Sequence, residues 1–317
     1  MSVLSWIQKK YPPGPSGFGF NSSADEVTQG VDLSGKNVVI TGVNSGLGAE
    51  TMRVLASRGA HIIGLARTLE KAEQACSSLG DKATPVACEL SDLDSVRTAA
   101  EQIKALGKPI DILICNAGIM ALPKLLQSRG IELQFATNHL GHFLLVNLLL
   151  DNLAEDARIV ALSSNAHLMA PEQGIEFENL SGVRDYDPLK AYGQSKLANI
   201  LMVKELTRRR GDRQMTANAV HPGVIMTNLG RNMKATTMLP MIGSIIRQFK
   251  NVHQGAATSC YVATSPALAD TSGEYFSDCN IEEPLHHAND KALAQRLWRV
   301  SEELVGLDPT APPYETA

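Results

Sequence analysis

The chain has 317 residues, 44% hydrophobic and 20% charged, the balance of a soluble globular protein. Its 29 basic and 33 acidic residues give a net charge of −4, so no basic excess points to nucleic acid or to an anionic membrane surface. Cys76, Cys88, Cys115, Cys260 and Cys279 are scattered with no C-x-x-C spacing, which fits reduced thiols of a cytoplasmic protein rather than a disulfide frame or a metal site.

The first ten residues do not read as a signal peptide, because Lys9 and Lys10 follow the short apolar run instead of preceding it. The longest apolar stretch, 143–150, is far below the roughly 20 residues of a membrane span, so no integral span is expected. Residues 1–34 read as an N-terminal extension. Prolines and glycines over 12–17 exclude helix and central strand and predict an extended surface arm. Trp6, Phe18 and Phe20 could pin it to the domain; a loose tail without function is the competing reading.

Residues 37–41 are a β-branched run suited to a buried parallel strand. They feed Gly42-Val-Asn44-Ser45-Gly46-Leu47-Gly48 and then a helical pattern over 49–58. Strand, glycine turn and helix form the context of a dinucleotide-binding loop. Gly42 permits the turn, Gly46 lets a pyrophosphate approach the backbone, and Gly48 allows close packing at the helix start. The second strand, 61–66, ends at Arg67, with no acidic residue nearby to hold a ribose hydroxyl. Arg67 therefore favours NADP over NAD.

Strands are expected at 84–88, ending at Glu89-Leu90; at 111–115, ending at Asn116-Ala117-Gly118; at 158–162, ending at Ser163-Ser164; at 216–220, ending at His221-Pro222-Gly223; and at 273–277. Helices are expected at 92–105, at 135–150 (apolar nearly all round) and around Tyr192. Alternating strands and helices predict one α/β domain over 35–306, a Rossmann-type doubly wound parallel sheet of about seven strands, followed by a tail at 307–317. Ligands bind such sheets at the carboxyl ends of the strands, where these polar residues lie.

Tyr192 and Lys196 are four apart, one turn of a helix. An ammonium beside a phenol favours phenolate and should lower the tyrosine pKa toward working pH, making it a proton donor to a carbonyl or an acceptor from an alcohol. Residues 231–254 hold Met233, Met238 and Met241 among other apolar residues, a pattern that suits either a lid over a bulky apolar substrate or ordinary helix packing. His139, His142 and His221 show no metal-ligand spacing, and no metal is expected. Arg208, Arg209 and Arg210 complement a helix dipole.

In their order and spacing these motifs resemble the short-chain dehydrogenase/reductase family, closest to its retinol-dehydrogenase-like and protochlorophyllide-reductase-like branch. The match runs from about residue 33 to residue 306. The resemblance implies Tyr192 as general acid/base and Lys196 as the group that lowers its pKa and holds the nicotinamide ribose. It further implies that Ser164 orients the carbonyl and that Asn138 holds a proton-relaying water. It places Asn116, Ala117 and Gly118 along the adenosine side, and Thr227, after Pro222-Gly223, at the nicotinamide carboxamide. Glu89 stands where the family commonly has Asp, and the stretch between Ser164 and Tyr192 is longer than in the shortest members; its residues 165–190 read as a wall of the substrate cleft. The expected activity is NADP-dependent interconversion of a carbonyl and an alcohol on a small apolar substrate, with a homodimer as the family's habit. Reduction of a carbon–carbon double bond, and dinucleotide sensing or scaffolding without chemistry, are the alternatives.

Overall fold

A computed structural model describes residues 11–225 and 249–308. Asn37–Thr41 (β1), His61–Ala66 (β2), Ala83–Ala87 (β3), Ile110–Cys115 (β4), Leu153–Leu162 (β5) and Thr216–His221 (β6) make a parallel sheet. Two strands of two residues, Val224–Ile225 (β7) and Phe249–Lys250 (β8), pair with each other outside it. Tyr275–Ser277 (β9) extends the main sheet in parallel, and Asn280–Ile281 (β10) folds back antiparallel at its edge. The eight-stranded order is β10-β9-β6-β5-β4-β1-β2-β3. The winding reverses between β1 and β4, so a crevice opens above their carboxyl ends.

Side-chain alternation along β1 divides the core in two. Val39 faces one buried cluster, while Val38 and Ile40 face the other. The first cluster takes in Leu93–Lys104, Gly141–Leu149, Pro188–Arg209 and Lys291–Val305; the second takes in Ala24–Val27, Gly46–Ser57 and Ala257–Thr264. In chain order these helices are Ala24–Val27 (α1), Gly46–Ser57 (α2), Leu69–Cys76 (α3), Leu93–Lys104 (α4), Gly141–Leu149 (α5), Pro188–Arg209 (α6), Ala257–Thr264 (α7) and Lys291–Val305 (α8). None of the described helices is long and apolar enough to cross a membrane.

Several expected elements change on folding. Strand β5 starts at Leu153, five residues early, because a short turn over Leu150–Asn152 brings the chain directly beside Ile110 of β4. The expected helix 135–150 is interrupted by a π-turn over Ala136–Leu140, which widens the coil around Asn138. Tyr192 lies on α6, started by Asp187, whose carboxylate accepts from the amides of Leu189 and Lys190 at 2.9 and 2.7 Å, with Pro188 in the first turn. Within it, Gly193 is a packing requirement more than a helix weakness, since a Cβ there would lie 2.5 Å from the Ala166 carbonyl oxygen. At its end, Arg208 and Arg209 pair with Glu205 of the same helix, and Arg209 lies 4.7 Å over the Trp298 ring of α8.

The N-terminal segment is built into the domain from Gly14 onward. Ala24 and Val27 are buried in the second core cluster, Phe18 packs against it, and Ser23 and Glu26 form a capping box. Trp6 and residues 231–248 of the expected lid lie outside the described residues, as does Thr227.

Candidate active site

The glycine loop leaves β1 at Gly42 (φ 75°) and enters α2 at Gly46 (φ 58°), two backbone conformations that disfavour a side chain. A Cβ on Gly48 would stand 2.2 Å from the Gly42 carbonyl oxygen and 2.5 Å from Asn116 Nδ2. Ser45 takes the N-cap position without spending its hydroxyl on a cap bond. The loop therefore presents the amides of the α2 N-terminus, unobstructed by side chains, to one cavity of about 240 Å³. This cradle suits a pyrophosphate.

Beneath it, the Thr41 hydroxyl oxygen accepts the amides of Asn116 and Ala117, both at 2.9 Å, and Asn116 Nδ2 donates to the Thr41 carbonyl at 2.7 Å. His142 completes the stitch. Its Nδ1 lies 2.9 Å from the Asn138 carbonyl, which only an N–H can satisfy, so Nε2 is the acceptor facing the Thr41 hydroxyl at 2.9 Å. Burial holds this imidazole neutral, pushing its pKa down to about 4. His139 is likewise buried and bonds Ser301 and Asn199, and His221 accepts the Asn165 amide, so all three histidines serve as scaffold.

Of the residues expected from sequence, the cavity is lined by Gly42, Asn44, Ser45, Gly46, Leu47, Gly48, Arg67, Glu89, Leu90, Asn116, Ala117, Gly118, Tyr192, Lys196 and Pro222. Asn138 lies behind Gly118, Ser164 beside Tyr192, and Gly223 against Lys250. The sequence reading missed Thr41, Ile119, Thr137 and Lys71. Lys71 lies in the first turn of α3, just after Arg67, and a second basic residue so close to the end of β2 was the available signal. Arg67 Nε pairs with Glu89 at 3.0 Å, and the other Glu89 oxygen accepts from the amide and hydroxyl of Ser91. Glu89 is thus turned toward Arg67.

At the other end of the cavity, Tyr192 is 4% exposed and Lys196 Nζ lies 5.6 Å from its ring centroid. Lys196 donates to the Leu162 carbonyl at 3.0 Å, which also accepts from Asn199 at 3.0 Å. The first serine of the pair, Ser163, ties β5 to α6 by donating to the Lys196 carbonyl at 2.8 Å. The second, Ser164, favours ionisation of the Tyr192 phenol. Asn138 accepts the Ile119 amide at 2.8 Å and donates to the Ile119 carbonyl and to Ser195, so its side chain is fully engaged.

The electrostatics differ from the sequence expectation. Burial pushes the Tyr192 phenol up to about 12, opposed only in part by Ser164. Burial also pushes the Lys196 ammonium down to about 8. The reason is geometric: Lys196 faces a carbonyl, and both groups have lost water. Below pH 8 the folded protein holds a buried ammonium with little compensation. Between about 8 and 10.5 the unfolded chain keeps that proton and the folded chain does not, so stability rises with pH through this window. Lys196→Met is therefore expected to raise the thermal midpoint at pH 7, by about 2–4 °C per kcal/mol recovered. The gain over wild type should vanish by pH 10.5. A melting series from pH 6 to 10.5 checks this, and a lower midpoint at pH 7 would contradict it.

A glycine cradle at a sheet's switch point, with a phenol and an ammonium lining the same cavity, is an arrangement suited to a dinucleotide-dependent enzyme. The chain belongs to the short-chain dehydrogenase family, whose model matches residues 36–237. It is an NAD(P)-dependent oxidoreductase of that family. It is 43% identical over 306 residues to the short-chain dehydrogenase TIC 32 A, chloroplastic, of Brassica napus, covering 92% of this chain and 95% of that protein. It is 43% identical over 287 residues to retinol dehydrogenase 12 of Mus musculus, covering 88% and 89%. The structure of a blue fluorescent protein from a metagenomic library in complex with NADPH has the same fold, with TM-score 0.62 and 26% identity over 78% of this chain and 96% of that one.

Proposed function

We propose that the protein interconverts a carbonyl and an alcohol on a mostly apolar small molecule, using NADP(H), with Tyr192 as general acid and base. The observation that carries this reading is that Tyr192 and Lys196 line the glycine-loop cavity together, with the Lys196 ammonium 5.6 Å from the Tyr192 ring centroid. A dinucleotide held in this cavity would supply or accept the hydride. Ser164 donates to the substrate oxygen and Tyr192 delivers the proton as alkoxide forms. Burial keeps that phenol protonated until charge develops beside it. The relay water expected at Asn138 belongs to the same proposal. Its carbonyl is linked through Asn199 to the Leu162 carbonyl that Lys196 holds.

Asn116, Ala117, Gly118, Glu89 and Leu90 would flank the adenosine, and Pro222, Gly223 and Thr227 the carboxamide. For the cofactor, Arg67 and Lys71 put two cations at the adenosine end, where a 2′-phosphate would sit. Arg67→Asp is expected to lower the NADPH-over-NADH preference in kcat/KM by about tenfold or more; an unchanged ratio refutes this role. The apolar substrate is supported by Leu168 and Met169, 59% and 40% exposed just beyond Ser164, and by the naming of one relative for retinol. Five buried, unpaired cysteines support a reducing, cytoplasmic setting. A homodimer is part of the same proposal. NADPH consumption over retinoid, steroid and aryl aldehydes and ketones tests the reading, with tight NADPH binding but silence across the panel as the refuting result.

A further inference from the structure

The N-terminal segment, the β9–β10 hairpin and the strand after Gly223 meet at one place, away from the glycine loop. The hairpin turn is Asp278-Cys279, both at positive φ (49° and 63°), a pair of positions that usually takes Asn-Gly. Such a turn persists where its surroundings over-determine it. Here they do. The Cys279 amide donates to the Thr258 hydroxyl at 3.1 Å, and Asp278 pairs with Lys250 Nζ at 2.5 Å.

Asn280, the next residue, grips the N-terminal segment by its backbone. Its Oδ1 accepts the Ser16 amide at 3.0 Å and its Nδ2 donates to the Phe18 carbonyl at 3.1 Å. The fit is close, for a Cβ on Gly14 would stand 2.5 Å from the Asn280 side chain. Phe18 then meets Tyr261 edge-on at 5.6 Å, and Phe20 stacks on Tyr11 at 4.6 Å.

Lys250 connects this clasp to the cleft. It is 4% exposed, and its ammonium lies 5.4 Å over the Phe20 ring. Its aliphatic stem fills the space beside Gly223 (φ 91°), where a Cβ would be 2.6 Å from Lys250 Cδ. Its backbone belongs to β8, which pairs with β7 immediately after Pro222-Gly223. The contacts thus run unbroken from Asn280 and Phe20 through Lys250 to Gly223.

We propose that residues 11–21 are a positioning strap that, through Phe20, Asn280 and Lys250, fixes Gly223–Ile225 at the nicotinamide end of the cleft. This rests on the dinucleotide reading above and deepens it. The strap's contacts lead to Gly223–Ile225 and reach the glycine loop only through Gly255, which neighbours both Ile225 and Leu47, so its effect is expected to be confined mainly to the nicotinamide half of the cofactor.

That confinement supplies the test. Asn280→Ala and Phe20→Leu are made separately in the full chain, and binding of NADPH and of 2′-phospho-ADP-ribose, which lacks the nicotinamide, is measured by titration. The expected result is a Kd for NADPH raised about fivefold in each variant, against a change under about twofold for the fragment. Amide exchange should quicken at Val224, Ile225 and Lys250 and stay unchanged in β1 and α2. Equal weakening of both ligands would mark general destabilisation and overturn the strap, and so would two unchanged affinities. Wild-type protein binding neither ligand would overturn the dinucleotide reading itself, and the strap with it.

Discussion

Replacing Tyr192 by Phe is expected to lower kcat by about 10²–10⁴-fold, the usual contribution of a positioned acid or base, while the NADPH Kd stays within about twofold. The substitution removes one oxygen and leaves the ring of a residue that is 4% exposed on α6. It should therefore cost little in fold. It removes the only phenol among the cavity-lining residues, and Ser164 cannot replace it. A serine hydroxyl is a far weaker acid, and Ser164 is also held by the Ala166 amide at 3.1 Å. Single-turnover reduction with NADPH in excess separates the effect from cofactor binding and product release. A variant that keeps most of its single-turnover rate would remove Tyr192 from the chemistry.

The second large effect is expected at Gly48. A methyl group there meets main-chain oxygen at 2.2 Å and Asn116 Nδ2 at 2.5 Å; the first is backbone and the second ends a side chain pinned to the Thr41 carbonyl at 2.7 Å. Gly48→Ala must push the start of α2 away from the Gly42 turn. Overpacking of this kind costs about 1–3 kcal/mol. The displaced loop also carries the amides that would hold the pyrophosphate, so NADPH affinity should fall by about tenfold or more. Thermal melting and NADPH titration read the two effects apart. Gly130→Ala is a suitable control, since a Cβ there meets nothing within 4 Å, although its φ of 79° makes it subject to backbone strain alone. Wild-type affinity in Gly48→Ala would show that the loop geometry does not set cofactor binding.

Much of this site was legible because its parts are local. A β-branched run, a glycine turn and a helix start are neighbours in the chain, and each is dictated by backbone sterics. Tyr192 and Lys196 are one turn apart on one helix for the same reason. The winding of the sheet follows from strict alternation of strands and helices, and with it the prediction that the strand ends converge.

What escaped the sequence was long-range. His142 looked like a helix residue near a motif, and only the packing of α5 under β1 makes it the partner of Thr41. Glu89 stood out only as a departure from the family's usual Asp, and folding alone brings its carboxylate to Arg67 across the ends of neighbouring strands. Gly193 has no local signal for its packing role, because the chain around Ala166 that packs on it is distant in sequence. Asn280 carries no signal in its own neighbourhood, because its partners Ser16 and Phe18 lie more than 260 positions away.

The sequence by itself determined the sheet class, the glycine cradle and the pairing of a phenol with an ammonium, since each needs only short-range geometry and the two periodicities of strand and helix. The tertiary structure alone decided the charge states. The same spacing that promises a lowered tyrosine pKa yields a raised one once both side chains lose water and the ammonium turns to the Leu162 carbonyl. Desolvation depends on everything packed around a group, and no spacing along the chain encodes it.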